Sequence, residues 1–328
     1  MLKLLRGVIG KVFYALLLLL AVAALNFTLV HFAPGDSAEA IAASMGGSTS
    51  EIVADLRHGF GLDRSFCEQL TGYLLQVASG NLGESFYFNA PVLHLILDRL
   101  PATALLVLSA LALSFVVGVL LGVLSAYRPR SLFNHIVSVF SLVGYAAPVF
   151  WTGIVLLVSF ALFVPLFPVS GMTDVAYPKS GAAYAIDVLH HLALPAVTLA
   201  ILNTAQYSRL ARASMLETLR ADYIRTARAK GLGEWTVIGK HALRNALIPV
   251  VTLMGMHFGT LFAGAILVET VFSWPGLGRL VFESIMRRDY PLLLGILLFS
   301  AMLVVIANML TDLAYQAIDP RIRKKSRA

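Results

Sequence analysis

From Ala102 to Ala126 the chain runs for 25 residues without one charged side chain. As a helix that stretch would rise about 37 Å, more than the roughly 30 Å of a bilayer's hydrocarbon core. One Arg at its centre would cost about 2.5–3.5 kcal/mol against roughly 0.3–0.6 gained per Leu, so the missing charge is itself a sign of insertion. Further apolar runs occupy Val12–Ala33, Ile136–Phe163, Leu192–Ala211, Leu247–Val268 and Leu292–Ala314. The expected fold is all-α: a polytopic membrane protein with about six transmembrane helices. Composition agrees, since 58% of the 328 residues are hydrophobic and only 13% charged, half the charged share of a typical soluble domain.

Two of these runs need comment. Lys3, Arg6 and Lys11, followed by an apolar core and Ala21-Val22-Ala23, imitate a secretory signal. The apolar run continues about ten residues beyond that point, too long for a signal, so it is expected to remain as the first span. The fourth run is the weakest, because Asn203, Thr204, Gln206 and Ser208 interrupt it. With the amino terminus inside, residues 1–11, 127–135, 209–246 and 315–328 hold 18 of the 25 Lys and Arg residues. Cytoplasmic loops carry this excess in membrane proteins, which puts both termini in the cytoplasm. The net charge of +7 is then mostly topological, and no nucleic-acid partner is expected.

Several chemistries are missing. Cys67 is the single cysteine, which excludes an internal disulfide and a cysteine metal cluster. Gly10-Lys11 and Gly239-Lys240 lack the rest of a phosphate-binding GxxxxGK[ST] loop, and HExxH is absent. His190-His191 stand at a span entrance without carboxylates at ligand spacing, so no metal is expected. A proton-coupled carrier or an intramembrane hydrolase would place acids and bases inside the bilayer. The spans offer Asn26, Asn203, Gln206, His257 and Asn308, with Glu269 and Asp312 near span ends. Energy is therefore expected from another subunit, and the chain itself is not expected to be an enzyme. Gly118 and Gly122, and likewise Gly255, Gly259 and Ala263, stand four apart. Each set makes a flat helix face for close approach, either within the chain or against a partner.

The longest inner loop, 212–246, is the most informative segment. From Asp222 to Lys230 the pattern is helical, with Tyr223, Ile224 and Ala227 on one face and Arg225, Arg228 and Lys230 away from it. Gly231 falls where a helix C-terminal cap belongs. A second short helix is expected from Glu234, with Trp235, Ile238 and Ala242 on one side. On spacing alone, this basic projection suits lipid headgroups as well as a protein partner.

The stretch DYIRTARAKGLGEWTVIGKHALRNALIPV resembles the cytoplasmic loop of ABC importer permeases, more narrowly the oligopeptide, dipeptide and nickel permease family. The general Glu-Ala-Ala pattern is changed here to Arg225-Thr226-Ala227, and the late proline is Pro249. Both departures agree with the peptide and nickel branch. HFAPGD at 31–36, GLD at 61–63, RLPAT at 99–103, PVSG at 168–171, VFSWPGLGRL at 271–280, RDYP at 288–291 and DPRIR at 319–323 are similar to the same branch, in the same order.

The resemblance implies a multi-pass subunit of the bacterial inner membrane. Its partners would be a second homologous permease, two ATP-binding cassette subunits or domains, an extracytoplasmic solute-binding protein and the lipid bilayer. ATP would be used on the partner subunits, with no cofactor held by this chain. Arg225, Thr226, Ala227, Arg228, Gly231 and Leu232 would form the ATPase-coupling loop, with Arg225 and Arg228 meeting acids on the ATPase or lipid. Asn203, Gln206 and His257 are candidates for the translocation path. Trp274 and Pro275 suit an outer interface. Residues 1–34 would be the N-terminal segment and first span, 35–101 an extracytoplasmic loop, and 102–328 a permease core of five spans carrying the loop at 212–246. Peptide is the expected cargo, with nickel or a metal chelate as the alternative; a secondary transporter or channel is the alternative of another class.

Overall fold

The computed structural model describes residues 2–33, 38–39, 42, 50–59 and 61–318. Among these it is built of helices and their connections, with one isolated β-bridge between Glu84 and Pro91. In chain order they are α1 (Leu2–His31), α2 (Ser50–Gly59), α3 (Phe66–Ala78), α4 (Val92–Tyr127), α5 (Leu132–Ala146) and α6 (Val149–Leu157), which runs on as π-helical turns over Val158–Phe163. Then follow α7 (Gly181–Leu219), α8 (Asp222–Ala229), α9 (Glu234–Thr236), π-helical turns over Val237–Ala242, α10 (Leu243–Val271), α11 (Leu277–Met286) and α12 (Tyr290–Ile318). Among the described residues, α1, α4, α7 and α12 are each long and apolar enough to cross a membrane. The bent pair of α5 and α6 with its π-turns is apolar enough to cross only when its two arms are taken together, and α10 covers the run 247–268 without a break.

The structure departs from the sequence reading in three places. The run Ile136–Phe163 is not one straight span: α5 and α6 meet at 111°. Ala147 (ψ 132°) and Pro148 (ψ 136°) are both extended, because proline offers no N–H to the helix ladder and drives the residue before it out of the α region. Hydropathy is blind to this break, since both residues are apolar. The fourth run is not weak but part of the longest helix among the described residues, 39 residues. Asn203, Thr204 and Ser208 are buried in packing. The inner loop also begins later than residue 212, because α7 continues to Leu219 before helix resumes at Asp222 as α8.

The chain packs as two compact units, 1–101 with 276–306 and 102–275 with 307–328. In the first, Val92 and Ile96 pack with Leu277, Leu280, Leu292, Ile296 and Phe299. That cluster is why 276–306 belongs with the amino-terminal residues rather than with the sequence-order core. Asp289, 1% exposed, ties the same unit together by accepting from the Ser85 hydroxyl and from the backbone N–H groups of Phe86, Tyr87 and Leu292.

In the second unit, Leu106, Val107 and Ala110 of α4 pack with Leu199 and Ala200 of α7, with Leu261, Ala265 and Val268 of α10, and with Phe272 and Trp274. Between helices in lipid there is little hydrophobic drive, so close packing and hydrogen bonds hold such a bundle. The glycine face of α4 supplies the first. A methyl at Gly118 would stand 2.7 Å from Tyr207 Cβ, and one at Gly122 would stand 2.6 Å from the Ser208 carbonyl oxygen. The backbones of α4 and α7 therefore touch, and this small-residue face is spent within the chain. Gly259 and Ala263 lie outside the residues whose side chains are described.

Candidate coupling site

The segment between α7 and α10 folds as a tip on a buried base. Ile224 (0% exposed) and Ala227 of α8 join Val237, Ile238, Ala242 and Ala246, and all six pack with Met215 of α7 and Ala126 of α4. The face expected from the spacing is thus real for Ile224 and Ala227. Tyr223 does not share it: 43% exposed, it lies one position round the helix, and its hydroxyl accepts from Asn245 Nδ2 at 2.8 Å. Trp235 is likewise turned outward, 70% exposed, with its ring 5.7 Å from that of Tyr127, while Ile238 and Ala242 are buried as expected.

Between the two buried sides lies an exposed neck, Lys230 to Gly233. Gly231 has φ +75°, a left-handed backbone that glycine adopts without cost and that ends the helix where the sequence places the cap. Its N–H donates to the Arg228 carbonyl at 2.9 Å, and the Leu232 N–H reaches the Ala227 carbonyl at 3.4 Å. Arg225 stands out in solvent beside Asp222, 3.6 Å away, and the Thr226 hydroxyl donates back to the Asp222 carbonyl at 3.0 Å. Arg228 engages Glu234 with two parallel hydrogen bonds, Nη2 to Oε1 at 2.6 Å and Nε to Oε2 at 3.2 Å. That guanidinium holds the Glu234 carboxyl below its ordinary range. Arg225, Thr226, Ala227, Arg228, Gly231 and Leu232 are thus brought into one projection, with Ala227 as its root and Leu232, 40% exposed, on its surface.

The candidate path residues are less concentrated. Asn203 is buried at 6%, whereas Gln206 on the same helix and His257 on α10 are half-buried. The His257 ring faces that of Tyr207, with ring centroids 5.6 Å apart. Tyr207 is fully buried, and its hydroxyl finds no hydrogen-bond partner among the described residues. Sequence reasoning passed over it because a tyrosine in an apolar run reads as packing.

Three of the scattered motifs meet at one end of the second unit. Thr103 Oγ1 donates to Glu269 Oε1 at 2.6 Å, and both are buried. Trp274 Nε1 donates to the Ala102 carbonyl at 2.8 Å, and the Gly171 N–H donates to the Phe272 carbonyl at 2.9 Å. Trp274, expected at an interface, is instead fully buried. An indole N–H with an internal partner can be taken out of contact with solvent and lipid altogether. The motif DPRIR lies outside the described residues.

The family described as "Binding-protein-dependent transport system inner membrane component" matches residues 118–324. The family for the N-terminal part of such membrane components matches residues 4–107. The di/tripeptide transport system permease protein DppB of Pseudomonas aeruginosa is 42% identical over 315 residues, which is 91% of this chain and 93% of the relative. The dipeptide transport system permease protein DppB of Escherichia coli K12 is 41% identical over 318 residues, 92% of this chain and 94% of the relative. That of Alkalihalophilus pseudofirmus is 37% identical over 319 residues, 93% and 95% of the two chains. Among solved structures, an inward-facing form of the MetNI methionine ABC transporter aligns with TM-score 0.53 and 17% identity, covering 69% of this chain and 96% of the other, a likeness of fold. Matched by sequence over residues 4–107 and 118–324, the chain belongs to the family of inner-membrane components of binding-protein-dependent transport systems.

Proposed function

We propose that this chain is a permease subunit of an ATP-driven importer that moves di- or oligopeptides across the bacterial inner membrane. The observation that carries the reading is near full-length identity, 42% over 91% of the chain, to a protein named for di/tripeptide transport. The other relatives compared are also named for dipeptides, which favours peptide over nickel or a metal chelate. The chain would work beside a second homologous permease, over two ATP-binding cassette subunits or domains, and beneath a solute-binding protein, with both termini in the cytoplasm.

The mechanism follows from the tip. Closure of the ATPase pair on ATP would carry the projection formed by α8 and the neck, and the buried base of that projection passes the displacement to α4 and α7. A short helix rooted by Ile224 and Ala227 transmits motion without losing it to side-chain rearrangement. Arg225 and Leu232 face outward for docking. Asn203, Gln206 and His257 would line or border the path, and a mostly apolar path leaves selection to the solute-binding protein.

The test is reconstitution of the assembled complex in proteoliposomes with a labelled dipeptide and, separately, with nickel. Expected is dipeptide uptake that needs both ATP and the solute-binding protein. Uptake without ATP, or of nickel in place of dipeptide, would overturn the reading.

A further inference from the structure

We infer that Arg228 and Glu234 form a clamp across the neck of the coupling tip, and that Arg228 is a positioning residue acting inside this chain rather than a docking residue on the ATPase. The inference deepens the importer reading and rests on it. Its starting point is the freedom of the neck. Between the last turn of α8 and the first residue of α9 lie Gly231 and Gly233, and nothing stands within 4 Å of where either would carry a side chain. Two glycines in so short a connection leave the backbone many alternatives. The shared cluster of Ile224, Ala227, Val237 and Ile238 fixes the base of the projection, but not the angle of the exposed residues beyond it.

The ion pair closes that gap. Its two hydrogen bonds, at 2.6 and 3.2 Å, use the planar fork of the guanidinium against both carboxylate oxygens, a geometry that fixes orientation as well as distance. Each partner also stands where a helix favours its charge: Arg228 in the last turn of α8 and Glu234 in the first turn of the helix that leads into α10. A rotation of the tip at Gly231 would have to break both bonds. The pair therefore ties the tip's direction to the start of α9, so that movement of the tip is delivered through the π-helical turns to α10 instead of being absorbed by the neck. Arg225 differs from Arg228 in this respect. At 77% side-chain exposure and 3.6 Å from Asp222, it remains available to a partner.

The experiment uses Arg228→Gln, Glu234→Gln, their double variant and the charge swap Arg228→Glu with Glu234→Arg, each in the reconstituted complex. Dipeptide moved per ATP hydrolysed is measured, alongside co-purification of the ATPase. Each single variant is expected to lower that ratio about fivefold while the ATPase stays bound and active. The double variant should be no worse than either single one, and the swap should recover most of the loss. A neutral Glu234→Gln beside an Arg228→Gln that releases the ATPase would overturn the clamp and return Arg228 to docking. A second readout needs no transport. Cleavage of the detergent-solubilised chain after Lys230 by a lysine-specific protease should quicken in the single variants and slow again in the swap; unchanged cleavage in all variants would overturn the inference. If the wild-type complex moves no dipeptide, the importer reading fails, and the cleavage series still decides the clamp.

Discussion

Asp289, named in the sequence only as part of RDYP, is almost fully buried. Four donors converge on its carboxylate, so Asp289→Ala should cost about 1–3 kcal/mol by leaving buried donors unsatisfied. Burial nevertheless raises its carboxyl above the ordinary range, outweighing the hydrogen bonds from Ser85, Leu292 and Phe86 that pull it down. The folded state therefore binds this proton more tightly than the unfolded chain does. Its contribution is greatest below the unfolded value, about pH 4, and falls as pH rises through the elevated folded value. Melting curves of wild type and Asp289→Asn, taken from about pH 4 to about pH 7, should show the wild type losing ground to the variant as pH increases. The opposite slope would mark Asp289 as an ordinary paired anion. None of this was legible beforehand. RDYP was recognisable as a string, but three of the donors come from 85–87, some two hundred residues away in sequence, and no local pattern announces such a pairing. The pairings of Thr103 with Glu269 and of Trp274 with the Ala102 carbonyl were hidden for the same reason.

Among the elements, the spans were legible because hydropathy integrates over twenty residues and forgives local detail. That same averaging concealed the bend at Ala147–Pro148 and undervalued α7, whose polar residues are buried against neighbours rather than set facing lipid. Helix α8 was legible to within a residue, since periodicity and a glycine stop are both local signals; the ion pair across the neck beyond it was not, because Glu234 read as part of a separate helix. The contact of α4 with α7 gives a sharp test. Gly122→Ala places a methyl 2.6 Å from a backbone oxygen and 2.7 Å from Ala211 Cβ. Neither neighbour is a flexible side-chain end, so overpacking should cost about 1–3 kcal/mol. Gly72→Ala in exposed α3 meets nothing within 4 Å and should instead gain up to about 1 kcal/mol from helix propensity. Thermal unfolding in detergent separates the two; equal effects would remove the steric argument.

For the whole molecule, the charge distribution makes a prediction that side-chain packing cannot. Reporters fused to either end should both read as cytoplasmic: a fluorescent protein fluoresces at each terminus, and a periplasm-dependent phosphatase stays inactive at each. A split result would require an odd number of crossings. The length of α7 matters at this scale too. Its 39 residues rise about 58 Å, nearly twice the hydrocarbon thickness, and Pro195 does not interrupt them. One end begins beside the segment containing Gly171, and the other carries Met215 into the base of the coupling tip. A strut that crosses the bilayer without a joint behaves as a lever with the membrane as its fulcrum. In the proposed mechanism, a push on the arm that meets the tip would appear at the far arm reversed in direction and scaled by the ratio of the arm lengths, so where the helix pivots matters as much as how far the tip travels.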